Sequence, residues 1–170
     1  MHNVNTDAVA ATAAAAAASP EAVLQPVVLS GEWQVSDSEP QFTAMIPYPG
    51  GQVEFRCDFP EPMGGGGRAP NPLAYCMWGG VACYAMSFAL EAAREGIPLR
   101  ALRGEVSTTV DMSRALGVSD RPPVEKLTWT LHVDCDADPA TLERLKSLAD
   151  ERCPGAYCIT NPIPLETRLG

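Results

Sequence analysis

Six cysteines, at positions 57, 76, 83, 135, 153 and 158, are the side chains best equipped for chemistry in this 170-residue chain. A thiolate is a nucleophile and a reductant, and two thiols within reach of each other can cycle between dithiol and disulfide. Six are too few for a disulfide-stapled scaffold. No two form C-x-x-C, and only His2 and His132 could supplement them. Zinc-ligand spacing is therefore missing, and no metal is expected. The expectation is reduced thiols in a cytoplasmic protein, with one pair serving redox chemistry. Cys76 and Cys83 share a helical face but stand about 10 Å apart along its axis. A disulfide needs Cα atoms closer than about 7 Å, so these two cannot pair within one helix. Cys57, Cys76 and Cys135 read as small buried apolar residues.

Other reactive patterns are weaker. Gly64–Gly67 resembles a phosphate loop only in composition, because no Gly-Lys-Ser/Thr follows and no βαβ unit surrounds it. It reads as a flexible connection. His132 alternates with Leu131 and Val133, which suits a strand histidine facing solvent or packing on a sheet, with no triad around it. Glu143, Asp150 and Glu151 read as the solvated face of a helix.

The elements that must position these thiols follow from periodicity. The alanine-rich stretch 8–18 is expected to be a helix capped by Thr6 or Asp7 and stopped by Pro20. It is not read as a secretory leader, because residues 1–18 contain no Lys or Arg. Val27–Val35, Phe42–Ile46 and Gln52–Phe59 read as strands, and Pro60–Pro70 as a loop. Asn71 can cap a long helix to Glu95, with Pro72 at its first position and Gly96-Ile97-Pro98 at its end. Pro72 to Leu90 carries no charge over nineteen residues. A helix buried on every side fits better than a membrane span, and a partner subunit is the natural source of cover. Leu102–Val110 and Val124–Val133 read as strands joined through a loop at Asp111–Pro123. Asp138-Pro139 opens a second helix with Leu142, Leu145, Leu148 and Ala149 in an apolar stripe, ending near Cys153-Pro154-Gly155. Ile163–Leu169 reads as an edge strand. Strands in adjacent groups predict an α+β fold with an antiparallel sheet. The division expected is an N-terminal helical extension, 1–26, and one domain, 27–170. Twelve basic against 21 acidic residues give a net charge of −9, which disfavours nucleic acid and anionic membranes as partners.

Two segments carry a resemblance. Gly64–Cys83 (GGGGRAPNPLAYCMWGGVAC) is similar to the glycine loop, Asn-Pro and cysteine-bearing long helix of the OsmC-like family. Cys153–Leu169 (CPGAYCITNPIPLETRL) resembles that family's second helix ending in Cys-Pro. Leu116-Gly117-Val118-Ser119 and the alanine-rich N-terminus resemble a longer branch of it. The resemblance implies an intertwined homodimer, with a sheet and two central helices per protomer and active sites at the interface. It implies reduction of organic hydroperoxides, with Cys83 peroxidatic, Cys153 resolving, a dithiol such as dihydrolipoamide as reductant, and no cofactor. Cys158 is a competitor for the resolving role. The chain departs from the peroxide-reducing branch at two points. Leu73 stands where that branch has a glutamate, and no arginine precedes Arg56. Arg56 and Arg68 are the candidates for a thiolate-activating cation. Tyr75, Trp78 and Tyr84, with Met77 and Met86, are candidates for an apolar pocket. The alternatives are a non-enzymatic protein holding an apolar small molecule at the dimer interface, and a thiol oxidant or sensor acting on another protein.

Overall fold

The computed structural model describes residue 1 and residues 3–170. His2, one of the two histidines considered as a metal ligand, lies outside the described residues. The chain divides into two compact units, residues 11–77 and residues 1–10 with 78–170. Its helices are α1 (Thr6–Ala18), α2 (Pro72–Arg94), α3 (Pro139–Arg152) and α4 (Pro154–Thr160). Its strands are β1 (Glu32–Trp33), β2 (Phe42–Tyr48), β3 (Gly51–Cys57), β4 (Leu99–Ser107) and β5 (Thr128–Cys135). The class is α+β with antiparallel pairing throughout, as the grouping of strands predicts.

In residues 11–77 the sheet order is β1-β2-β3. The β2–β3 hairpin runs from Phe42↔Cys57 to Tyr48↔Gly51, closed by a turn in which Gly51 takes φ +143°. The strand expected over Val27–Val35 shrinks to Glu32–Trp33, which pairs with Thr43 and Phe42. Val27, Val28, Leu29 and Val35 are exposed. β-branched residues without a ladder partner or a buried face have nothing to hold them extended. β3 stops at Cys57 because Asp58 turns away. Its amide donates to the Pro70 carbonyl at 3.2 Å, and its buried carboxylate accepts from the Gly66 and Arg68 amides. Asn71 caps α2 as its position suggests, accepting from the Leu73 amide at 2.9 Å. For α1, by contrast, the cap is neither Thr6 nor Asp7. The Asn5 side chain accepts from the Ala8 amide at 3.0 Å, one residue ahead of the predicted position.

In the other unit β4 and β5 pair from Leu99↔Cys135 to Ser107↔Thr128, with an irregularity at Leu99/Ala101. Alternation along β5 turns Trp129, Leu131, Val133 and Cys135 inward and leaves Thr130, His132 and Asp134 exposed. The core on the inner face consists of Tyr84, Phe88 and Ala92 from α2 with Leu145, Ala149 and Cys153. α2 ends in a Schellman turn. Gly96 adopts φ +69°, its amide bonds the Ala93 carbonyl, and the Ile97 amide bonds Ala92. α3 begins at Asp138, whose carboxylate accepts from the Thr141 amide, with Pro139 at the first helical position.

Trp78 and Met86 on α2 are 60% and 72% exposed, so a single chain covers only one face of this helix. One expectation fails here. The C-terminal segment expected as a strand contains none between Ile163 and Leu169. Pro162 and Pro164 remove two ladder donors, and the ordered element lies earlier, as α4.

Candidate active site

Cys83 sits in the middle of α2, and Cys153 sits at the break between α3 and α4. The break has a local cause. Pro154 has no amide to continue α3, but its fixed φ suits the first position of a new helix. Cys153 therefore closes one helix and opens the next. Its amide donates to the Ala149 carbonyl, its backbone is extended (φ −72°, ψ 116°), and its sulfur accepts from the Ala156 amide at 3.4 Å. This turn brings the two sulfurs to 3.6 Å from residues seventy apart in sequence. A disulfide bond is about 2.0 Å long, so only a small side-chain movement would accompany its formation if an oxidant took up two electrons and the two thiol protons were lost. Cys153 is 1% exposed, while Cys83 is half-buried and the more accessible of the two.

Gly155 makes the approach feasible. A Cβ at that position would stand 3.1 Å from Cys83 Cβ and 3.3 Å from Cys83 Sγ. Without a side chain, its backbone can turn its own amide onto the Cys83 sulfur. The first turn of α4 thus directs Gly155 N–H at Cys83 and Ala156 N–H at Cys153. Burial pushes the Cys83 thiol above its ordinary pKa. The Gly155 amide opposes that shift, and the neighbouring Cys153 and Cys158 thiols add to it. The resting arrangement is a dithiol with hydrogen-bond donors already aimed at the charge an ionised sulfur would carry.

Two polar ties fasten α3 to α2 near this pair. The Tyr84 hydroxyl donates to Asp150 Oδ1 at 2.6 Å. Burial, and then this bond, push the tyrosine pKa upward. Asp150 is therefore not simply part of a solvated helix face. Burial works against its ionisation, yet hydrogen bonds from Lys146 and Tyr84 outweigh it and hold the carboxyl below its usual range. The second tie is Glu91, 4% exposed, which accepts from Arg94 Nη1 and from Arg152 Nη1, each at 2.8 Å. A carboxylate buried this deeply needs such partners, and one of them immediately precedes Cys153.

The remaining candidates are placed as follows. Arg56 pairs with Glu39 at 3.1 Å and lies 3.9 Å from Glu54, and Arg68 lies 4.0 Å from the buried Asp58. Both are engaged with carboxylates of their own unit. Tyr75 stacks on Phe55 at a ring separation of 5.2 Å and donates to the Arg56 carbonyl. Tyr84 packs on Trp129 at 5.4 Å. It lines a cleft of about 260 Å³ with Trp129, Ala156 and Ile159, and a second of about 490 Å³ with Phe88, Trp129 and Leu142. Trp78 is exposed and lines neither. Among the described residues no group of three or more His, Cys, Asp or Glu side chains is arranged to hold a metal ion. Sequence reasoning missed Gly155, Glu91, Arg152 and Trp129. The Cys-Pro-Gly run followed by AYCIT was the available sign of a cap opening a new helix.

The family model described as OsmC-like protein matches residues 64–168, which contain both thiols. No curated protein sequence matches the chain. Among solved structures, a putative osmotic stress induced and detoxification response protein of Psychrobacter arcticus superposes with a TM-score of 0.61 at 18% identity. That match covers 79% of this chain and 90% of the other. An OsmC like protein of Mycoplasma pneumoniae gives 0.59 at 15% identity, over 80% and 88% of the two chains. An organic hydroperoxide resistance protein of Legionella pneumophila gives 0.54 at 18% identity, over 80% and 91%. At these identities the likeness is one of fold, and the matched residues include the helix bearing Cys83 and the turn bearing Cys153. The chain belongs to the OsmC-like family.

Proposed function

We propose that this protein reduces organic hydroperoxides through a Cys83–Cys153 dithiol–disulfide cycle, as a cytoplasmic homodimer in oxidative stress defence. The observation that carries this reading is the 3.6 Å contact between the two sulfurs, with the amides of Gly155 and Ala156 directed at them. The Cys83 thiolate attacks the distal oxygen of ROOH. The S–O bond forms, the O–O bond breaks, and the alkoxide leaves as ROH after taking a proton. Cys153 then attacks the sulfenic sulfur, forming the disulfide and releasing water. An external dithiol restores the pair by exchange, being oxidised to its own disulfide. Cys83 takes the first role because it is the more accessible sulfur, and Cys153 the second because it is buried against it. Family membership and the hydroperoxide-resistance name of the Legionella relative support the substrate class. The exposed Trp78 and Met86 on α2 support a second copy as cover.

The test is to mix the reduced protein with one equivalent of tert-butyl hydroperoxide, follow peroxide loss, and map disulfides under non-reducing conditions. Stoichiometric loss with a Cys83–Cys153 link is the expected result. Persisting peroxide with both thiols alkylatable would end the peroxidase reading.

A second reading is a non-enzymatic carrier of an apolar small molecule. It is favoured by Leu73 at the family's glutamate position, by the engagement of Arg56 and Arg68 elsewhere, and by the clefts beside Trp129. Cys83→Ser separates the two, since a carrier keeps its ligand affinity whereas a peroxidase loses turnover.

A further inference from the structure

A second pair of thiols lies in residues 11–77, apart from the pair assigned above. Cys57 is the last residue of β3, and Cys76 lies in the second turn of α2. Strand alternation puts Phe55 and Cys57 on one face, both half-buried, while Glu54 and Arg56 are exposed. That face meets α2. The Phe55 ring packs on Tyr75, and the Tyr75 hydroxyl donates to the Arg56 carbonyl at 3.0 Å. On the other side of Cys57, the Asp58 amide donates to the carbonyl of Pro70, two residues before the helix begins. Both chain neighbours of Cys57 are therefore fastened to the segment leading into Cys76, and Tyr75 directly precedes Cys76. Burial pushes the Cys57 thiol up, and a charge at Cys76 pushes it up further. Cys76 is exposed and Cys57 is not, so the pair divides into an accessible thiol and a sheltered one.

We infer that Cys57 and Cys76 form a second redox-active dithiol, which low-molecular-weight disulfides oxidise to an intramolecular disulfide tying the end of β3 to α2. The exposed Cys76, as thiolate, attacks one sulfur of RSSR, forming a mixed disulfide and releasing RS⁻. Cys57 then attacks Cys76 Sγ and releases the second RS⁻. The two protein protons end on two molecules of RSH, and two electrons pass from the protein dithiol to the small disulfide. The pKa of Cys57, raised by its burial, suits this order, since the second attack is intramolecular and needs less thiolate. Residues 11–77 thereby hold a redox state independent of Cys83 and Cys153.

The test uses the full chain, reduced and then equilibrated across a series of glutathione disulfide to glutathione ratios, quenched by alkylation. Cleavage after Arg68 and Trp78 separates the cysteines at 57, 76 and 83 onto different peptides. The expected product is a cross-link between the Cys57 and Cys76 peptides, formed within one chain. It should form equally when Cys83 and Cys153 are both replaced by serine, which makes its outcome independent of the peroxide cycle. In Cys57→Ser a glutathione adduct should accumulate on Cys76 that the native chain does not hold. The inference is overturned if native Cys76 retains glutathione while Cys57 remains alkylatable, or if Cys76 links to Cys76 of another chain.

Discussion

At the scale of single residues, the chemistry turns on one missing side chain and one burdened thiol. The Cβ introduced by Gly155→Ala would fall 3.1 Å from Cys83 Cβ and 3.3 Å from Cys83 Sγ. Relief requires α4 to withdraw, which lengthens the sulfur contact and takes the Gly155 amide off Cys83. The expected cost is about 1–3 kcal/mol of stability, as for other overpacked sites. Disulfide closure after one equivalent of oxidant should slow at least ~10-fold, since about 1.4 kcal/mol of lost alignment corresponds to that factor. Chemical denaturation and quenched thiol mapping check the two effects. The charge state of Cys83 sets a second expectation. Its pKa is raised, chiefly by burial, so its thiolate fraction is still growing where an ordinary cysteine, titrating near pH ~8.5, approaches saturation. In native protein, alkylation of Cys83 should therefore rise with pH beyond the midpoint of an unfolded control. A midpoint below the control would mean that the α4 amides outweigh burial. The resemblance singled out Cys83 and Cys153. It was silent on Gly155, because a spacing of seventy residues says nothing about how closely two backbones approach.

At the scale of elements, the site depends on α3 being held on α2 and ending where it does. Leu145 lies at the centre of that contact, fully buried between α2 residues and the sheet. Leu145→Ala should cost about 2–5 kcal/mol in denaturant unfolding. Loss of less than about 1 kcal/mol would show that the helices do not depend on this contact. The Tyr84–Asp150 bond is a finer probe. Tyr84→Phe leaves the ring packed on Trp129 and removes only the hydroxyl. About 1 kcal/mol should be lost. The apolar stripe of α3 was legible in sequence because helical periodicity reports directly which face is buried. The hydroxyl tie was not. A tyrosine among apolar neighbours and an aspartate among charged ones each read as something simpler. The division of the C-terminal region into α4 rather than a strand was also missed. Pro154 opens α4 because Cys153 caps it, whereas Pro162 and Pro164 deny the following segment two ladder donors.

At the scale of the whole molecule, a net charge of −9 coexists with large apolar side chains left in solvent, Trp78 and Met86 on α2 among them. Apolar side chains exposed in this way support the second copy of the proposed function. Sedimentation equilibrium should give a mass twice the 18.0 kDa of one chain. A concentration-independent monomer would remove the second copy from the proposed function, and with it the expected cover for α2. The Cys57–Cys76 pair belongs to the same scale, since it gives residues 11–77 thiol chemistry separate from that of residues 78–170.

What the sequence determined by itself was local or cumulative. It set the α+β class through grouped strands, the span of α2 through Asn71 and Gly96, the acidic charge, and the family through Gly64–Cys83 and Cys153–Leu169. Each follows from neighbouring residues or from a pattern summed along the chain. The tertiary structure alone decided which groups meet: Gly155 against Cys83, Arg152 on buried Glu91, Tyr84 on Asp150, and β3 against the turn bearing Cys76. These contacts join segments between roughly nineteen and seventy residues apart. Their existence depends on how apolar faces pack, which no run of residues encodes on its own.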